Sequence, residues 1–182
     1  MKKKNVLIII FIVLFSIVSI MLTYKESRLS TYFLLIPTML VPYLCKIIGI
    51  KLRNDDIFLY YVFIFLTQVL GCICNLYNIV WWYDIFAHFL SGVFTFHIGL
   101  VTLDNFNNKN DSLLFKVFFC ICFSAFIALM WEVVEFTGDN LFSSDVQHSL
   151  DTGVVDTMED MIVAMIGSSL YGIFCKIRKK LV

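Results

Sequence analysis

The sequence predicts an all-α fold: a polytopic membrane protein, one transmembrane domain over residues 1–182, built as a bundle of six transmembrane helices with both termini in the cytoplasm. Three observations predict it. The chain is 60% hydrophobic and only 15% charged, with mean hydropathy +0.87, a balance far from that of a soluble domain. Six apolar runs, each about the 20 residues a bilayer core requires, fall at roughly 5–23, 30–49, 57–77, 83–103, 113–136 and 154–175. Lys and Arg, finally, collect on alternate connections between those runs.

The first run follows Lys2, Lys3 and Lys4. It is longer than a signal-peptide core and lacks a small-x-small cleavage site before Tyr24, so it is expected to be retained. The second contains Pro37 and Pro42. Membrane helices tolerate such prolines where neighbours satisfy the freed backbone groups. The third run leads to Trp81, Trp82 and Tyr83, an aromatic cluster of the kind that marks a membrane interface. The fourth carries Asp84 and His88, the fifth Glu132 and Glu135, and the sixth Asp156 and Asp160. Between the fourth and fifth, "DNFNNKND" (104–111) is a polar loop.

Orientation follows from the cations. With the N-terminus inside, Lys2–Lys4, Lys46, Lys51, Arg53, Lys109, Lys116, Lys176, Arg178, Lys179 and Lys180 all face the cytoplasm. Only Lys25 and Arg28 remain outside, and the connections around 78–82 and 137–153 hold no Lys or Arg. This is the positive-inside pattern. The cations are dispersed along one edge rather than gathered into a patch, which argues against nucleic-acid binding. Cys45, Cys72, Cys74, Cys120, Cys122 and Cys175 lie in or beside apolar runs and read as packing, not as a disulfide framework. The members of the two Cys-x-Cys pairs point about 200° apart on a helix, which makes neither a chelate.

The polar residues of the last three runs form a pattern. Asp84 and His88 occupy the first two turns of the fourth run, Glu132 and Glu135 the last turns of the fifth, and Asp156 and Asp160 the first two turns of the sixth. With alternating direction, all six fall within about 10 Å of the outer surface, at 1.5 Å per residue. Each pair has i,i+3 or i,i+4 spacing, which puts its members on one helix face. Short connections favour antiparallel neighbours, so the three faces are expected to converge.

Five carboxylates there would carry about five negative charges if ionised, and no Lys or Arg lies between 54 and 108 or between 117 and 175. A buried aspartate at mid-membrane costs about 2.5–3.5 kcal/mol on insertion scales, and less near the interface. Either several carboxyls stay protonated or cations bind. Bundles that hold metals draw carboxylates and a histidine at helical spacing from several helices. The predicted ligands are therefore Asp84, His88, Glu132, Glu135, Asp156 and Asp160, holding one or two divalent ions. Oxygen-rich ligation with one imidazole suits Mg²⁺ or Mn²⁺ and tolerates Zn²⁺ or Fe²⁺. Two ions about 3.5–4 Å apart would activate water or clamp a phosphoryl group, with His88 or a free carboxylate such as Glu132 as general base.

"YDIFAHFLSG", "WEVVEF" and "VVDTMEDMIVAMIG" together resemble the motif series of the YjdF-like family of bacterial inner-membrane proteins: Y-D-x-x-x-H-F-x-x-G, E-x-x-E and D-T-x-x-D-x-x-x-x-x-x-G. The resemblance covers residues 83 to about 167. It implies a bacterial plasma-membrane location and marks Asp84, His88, Gly92, Glu132, Glu135, Asp156, Thr157, Asp160 and Gly167 as motif positions. It implies no reaction.

Structural roles compete with functional ones. Asp84 and Asp156 sit where a carboxylate caps a helix N-terminus, Glu135 where it would be solvated, and His88, Glu132 and Asp160 where a hydrogen-bonded core role is the alternative. Thr157 is expected to bond a backbone carbonyl in support of its neighbours rather than to hold an ion. Gly92 and Gly167 are expected to permit close helix packing. His97 falls on about the opposite face from His88 and reads as packing. Asp139, Asp145, His148 and Asp151 read as solvated loop residues, with a lid or an extra ligand source as the functional alternative.

Two function classes follow. One is a divalent-metal-dependent hydrolase or transferase acting on membrane lipid or a lipid-linked substrate from the outer face. The other is a proton- or cation-handling transporter, since intramembrane carboxylates often mark such pathways. A membrane assembly protein with a structural polar core is a third. The one-sided placement of the acids favours the enzyme, because carriers bind near the midplane.

Overall fold

The computed structural model describes residues 29–106, 112–143, 145, 147 and 149–177. All regular structure in these residues is helical, and four helices are long and apolar enough to cross a membrane. The predicted first span, 5–23, lies outside the described residues. The chain divides into two compact units, Met1–Tyr83 and Asp84–Val182.

In the first unit, α1 (Leu29–Ile47) leads through Gly49, at φ 87°, to α2 (Asn54–Ile64). The start of α2 is built by Asp56. Its Oδ2 accepts the Arg53 backbone N–H at 2.9 Å and the Arg53 Nε–H at 3.1 Å, while Oδ1 accepts from Nη2 at 3.1 Å. Asp56 is fully buried, so this two-pronged ion pair is what makes a charge tolerable there. The helix then widens into a π-helical stretch, Phe65–Ile73. It stops at Asn75, whose left-handed φ of 63° turns the chain into the short α3 (Leu76–Ile79). Gly71 is required beneath the Tyr77 ring, since a Cβ there would lie 2.7 Å from Tyr77 Cζ. Tyr83 donates its hydroxyl to the Leu66 carbonyl at 2.8 Å.

One proline of α1 receives the neighbour it needs. Pro42 has no N–H, which leaves the Thr38 carbonyl without its helical donor, and the Tyr60 hydroxyl of α2 donates to that carbonyl. Tyr61 donates beside it to the Met39 carbonyl at 3.2 Å. Tyr60→Phe is therefore expected to cost about 1 kcal/mol, the scale of hydrogen bonds inside membranes. Unfolding in detergent measures it. In a Pro42→Ala background, where the backbone donor returns, the same substitution is expected to be nearly silent. An equal cost in both backgrounds would detach Tyr60 from the proline.

In the second unit, α4 continues from Tyr83 to Asn105, and α5 runs Leu113–Phe142. A single turn, α6 (Ser149–Thr152), precedes α7 (Val155–Ile177). Ser112 caps α5 by accepting the Phe115 N–H at 3.2 Å. Contacts between α4 and α7 run in the same order along both helices: His88 meets Asp160, Gly92 meets Ala164 and Phe96 meets Gly172. The two are parallel, and α5 runs against them, with Ser124 at the level of Gly92 and Cys120 at that of Gly99.

Two glycines set the α4–α7 spacing. A Cβ on Gly92 would fall 2.7 Å from the Ala164 carbonyl carbon, and one on Gly167 would overlap the Phe89 carbonyl oxygen. Each helix thus presses its backbone on the other at a glycine, the close approach that small residues permit in membranes. Phe96, Leu103, Cys120 and Cys175 form the core beyond this crossing. His97 sits edge-on against Tyr171 with ring centroids 6.4 Å apart.

Candidate metal centre

One turn from the glycine crossing, at the end of α4 nearest its start, lie Asp84, His88 and Asp160. His88 Nε2 is 3.5 Å from Asp84 Oδ1 and 3.5 Å from Asp160 Oδ2. One ligand atom from each of the three falls within 4.8 Å of the others. The helical i,i+4 relation positions Asp84 against His88, and the α4–α7 crossing delivers Asp160. His88 and Asp160 are buried, whereas the Asp84 side chain retains 29% exposure and is the open side of the group.

The other predicted residues surround this group in different ways. Glu132 of α5 is buried and lies within electrostatic range of Asp84, Asp156 and Asp160. Its carboxyl hydrogen-bonds the Thr157 hydroxyl and the Gln147 amide, whose Nε2 is 3.5 Å from Glu132 Oε2. Glu135 lies within range of Glu132, Asp84 and Asp160, but its Oε1 is taken by the Trp131 indole N–H at 2.8 Å. Asp156 stands at the rim, half-buried, and acts on Glu132 and Asp160 through charge. The structure therefore separates a close trio from three further carboxylates.

Thr157 corrects one expectation. Its hydroxyl serves Glu132 and the Gln147 amide, at 3.4 Å from the latter, because the connection between α5 and α7 folds back and offers a side-chain partner. That connection is held by Asp139, whose Oδ2 accepts the Gln147 backbone N–H at 3.0 Å, and by Asp145, whose Oδ1 accepts that of Leu150 at 3.2 Å. Asp139 and Asp145 are thus structural anchors of the connection. The side chains of His148 and Asp151 lie outside the described residues.

Two residues escaped the sequence reading. Trp131 carried a usable signal, since it precedes Glu135 by four and so shares its face. Gln147 carried none. A single glutamine in a polar connection has no periodicity to betray that its side chain turns inward.

Apolar helices of spanning length with a buried acidic and histidine cluster define a helical integral membrane protein. The chain belongs to the family described as "predicted membrane protein (DUF2238)", whose model matches residues 4–180. That assignment agrees with the resemblance carried by the three motifs, and its description gives a location without a reaction. No curated protein and no solved structure matches the chain.

Proposed function

We propose that this protein is a six-helix component of the bacterial plasma membrane with both termini cytoplasmic. In this reading it binds one divalent cation at Asp84, His88 and Asp160, and hydrolyses or transfers a group on a lipid or lipid-linked substrate at the outer face. The observation that carries the reading is the pair of 3.5 Å separations from His88 Nε2. They exceed the usual 2.7–3.2 Å of a nitrogen–oxygen hydrogen bond, about 2.9–3.0 Å at the mode. Two ligands bonded at about 2.1 Å to one ion with tetrahedral or octahedral angles lie roughly 3.0–3.4 Å apart, so a small inward shift seats an ion. One divalent charge balances the two aspartates. The donors already given to Glu132 and Glu135 support a single ion over a pair. A bound ion polarises a carbonyl or phosphoryl oxygen, and Asp84 leaves it approachable.

A carrier would need polar groups continuing toward the opposite face. Thr95 and Ser124 share one hydrogen bond below the trio, and the single proton left over goes to a backbone carbonyl, that of Ser91 from Thr95 or that of Gly92 from Ser124. Hydroxyls spent on each other and on backbone in this way support the enzyme over the carrier.

Metal analysis of the detergent-purified chain tests the site: about one equivalent of divalent metal is expected, and a metal-free protein that rebinds none would end the proposal. The orientation has its own test. Reporters fused after Lys180 and within 104–111 are expected to read cytoplasmic, and one within 139–150 external. An external C-terminus would move the cluster to the inner face.

A further inference from the structure

The Gln147 side chain is buried although it belongs to a connection, and its amide nitrogen stands among three oxygens: the Glu132 carbonyl at 3.3 Å, Thr157 Oγ1 at 3.4 Å and Glu132 Oε2 at 3.5 Å. Its own backbone is pinned to Asp139. A primary amide has two hydrogens to donate, and a carboxylate accepts them without offering one back. The amide therefore fixes the direction of the Glu132 carboxyl, which lies within range of Asp84 and Asp160 but outside the close trio.

We infer that Gln147 is a positioning residue for the cation site: it holds the Glu132 carboxyl in one direction beside the Asp84–His88–Asp160 trio and so couples the α5–α7 connection to cation affinity. This rests on the metal reading above. Partners that orient the groups around an ion commonly contribute 10–100-fold in affinity. Thr157 hydrogen-bonds the same carboxyl, so Glu132 is held from both the connection and α7.

The test is a double-substitution cycle read by Mn²⁺ titration of the full chain in detergent. Gln147→Ala is expected to weaken Mn²⁺ binding about tenfold at unchanged stoichiometry. Placed on Glu132→Gln, the same change is expected to add little, because its route to the ion is gone. Gln147→Met, of similar volume and without a donor, is expected to reproduce the loss and replaces Gln147→Ala should that variant fail to fold. Unchanged affinity in either variant, or losses that simply add to that of Glu132→Gln, would overturn the positioning role while leaving the metal site standing. Failure of the unsubstituted chain to bind Mn²⁺ would overturn both.

Discussion

Replacing His88 with alanine is expected to abolish the proposed binding of a divalent ion while the purified chain remains inserted and monodisperse. The imidazole supplies the one nitrogen in the trio and sits between the two aspartates, 3.5 Å from each. Groups that merely orient ligands contribute 10–100-fold, so removal of a ligand is expected to exceed a hundredfold. Asp160→Asn is expected to act alike, since it removes the buried charge from α7. The counterpart on the unsubstituted protein is a stability change. An ion at a hundred times its Kd stabilises by about 2.7 kcal/mol, so a chelator is expected to lower the unfolding temperature of the parent chain and to leave that of His88→Ala unchanged. Binding is also expected to weaken as pH falls, because protons compete for the same ligand atoms. Full metal content in His88→Ala would place the ion elsewhere.

The second large effect belongs to a residue with no side chain. Gly92→Leu is expected to destabilise the protein by about 3 kcal/mol or more, the upper end of overpacking costs, measured by unfolding in detergent. The obstacle is backbone, the Ala164 peptide, which cannot rotate away as a side chain would. The helices must part. His88 and Asp160 each lie four residues, about 6 Å, from this contact on their own helices, so the parting also opens the trio, and Mn²⁺ affinity is expected to fall with stability. Gly138→Ala set against Gly92→Ala is the control pair, because a Cβ at Gly138 meets nothing within 4 Å. Equal effects at the two positions would show that the crossing does not set the site.

Much of the fold was legible because hydropathy and helix periodicity report directly on lipid contact. The runs at 83–103 and 154–175 match α4 and α7 within two residues at each end. The fifth run ended too early, at 136, where Thr137, Gly138, Asp139 and Asn140 lower the hydropathy. The helix nonetheless continues to Phe142. Thr137 donates to the Val133 carbonyl and Asn140 to that of Phe136, so these polar side chains are spent on their own helix. Hydropathy measures where lipid ends, not where a helix does. The third run erred at its far end, because the left-handed Asn75 breaks a stretch whose composition stays apolar.

For the site, spacing identified which residues share a face, and the structure does bring acids of three helices together. Spacing could not rank them. Whether Asp160 or Glu132 reaches His88 depends on how far each helix rotates and how closely it approaches, and that is decided at Gly92 and Gly167. Nor could spacing register competition for a carboxyl, as Trp131 competes for Glu135.

The bond from Tyr60 to Thr38 bears on how the chain enters the membrane. In the six-helix reading α1 enters the bilayer with one carbonyl stripped of its donor by Pro42, where no water relieves it. The donor arrives 22 residues later in synthesis. In that reading α1 is an unfinished passenger until α2 emerges, and the two are expected to settle in the bilayer as a joined hairpin, with the proline acting as a timing mark in biogenesis.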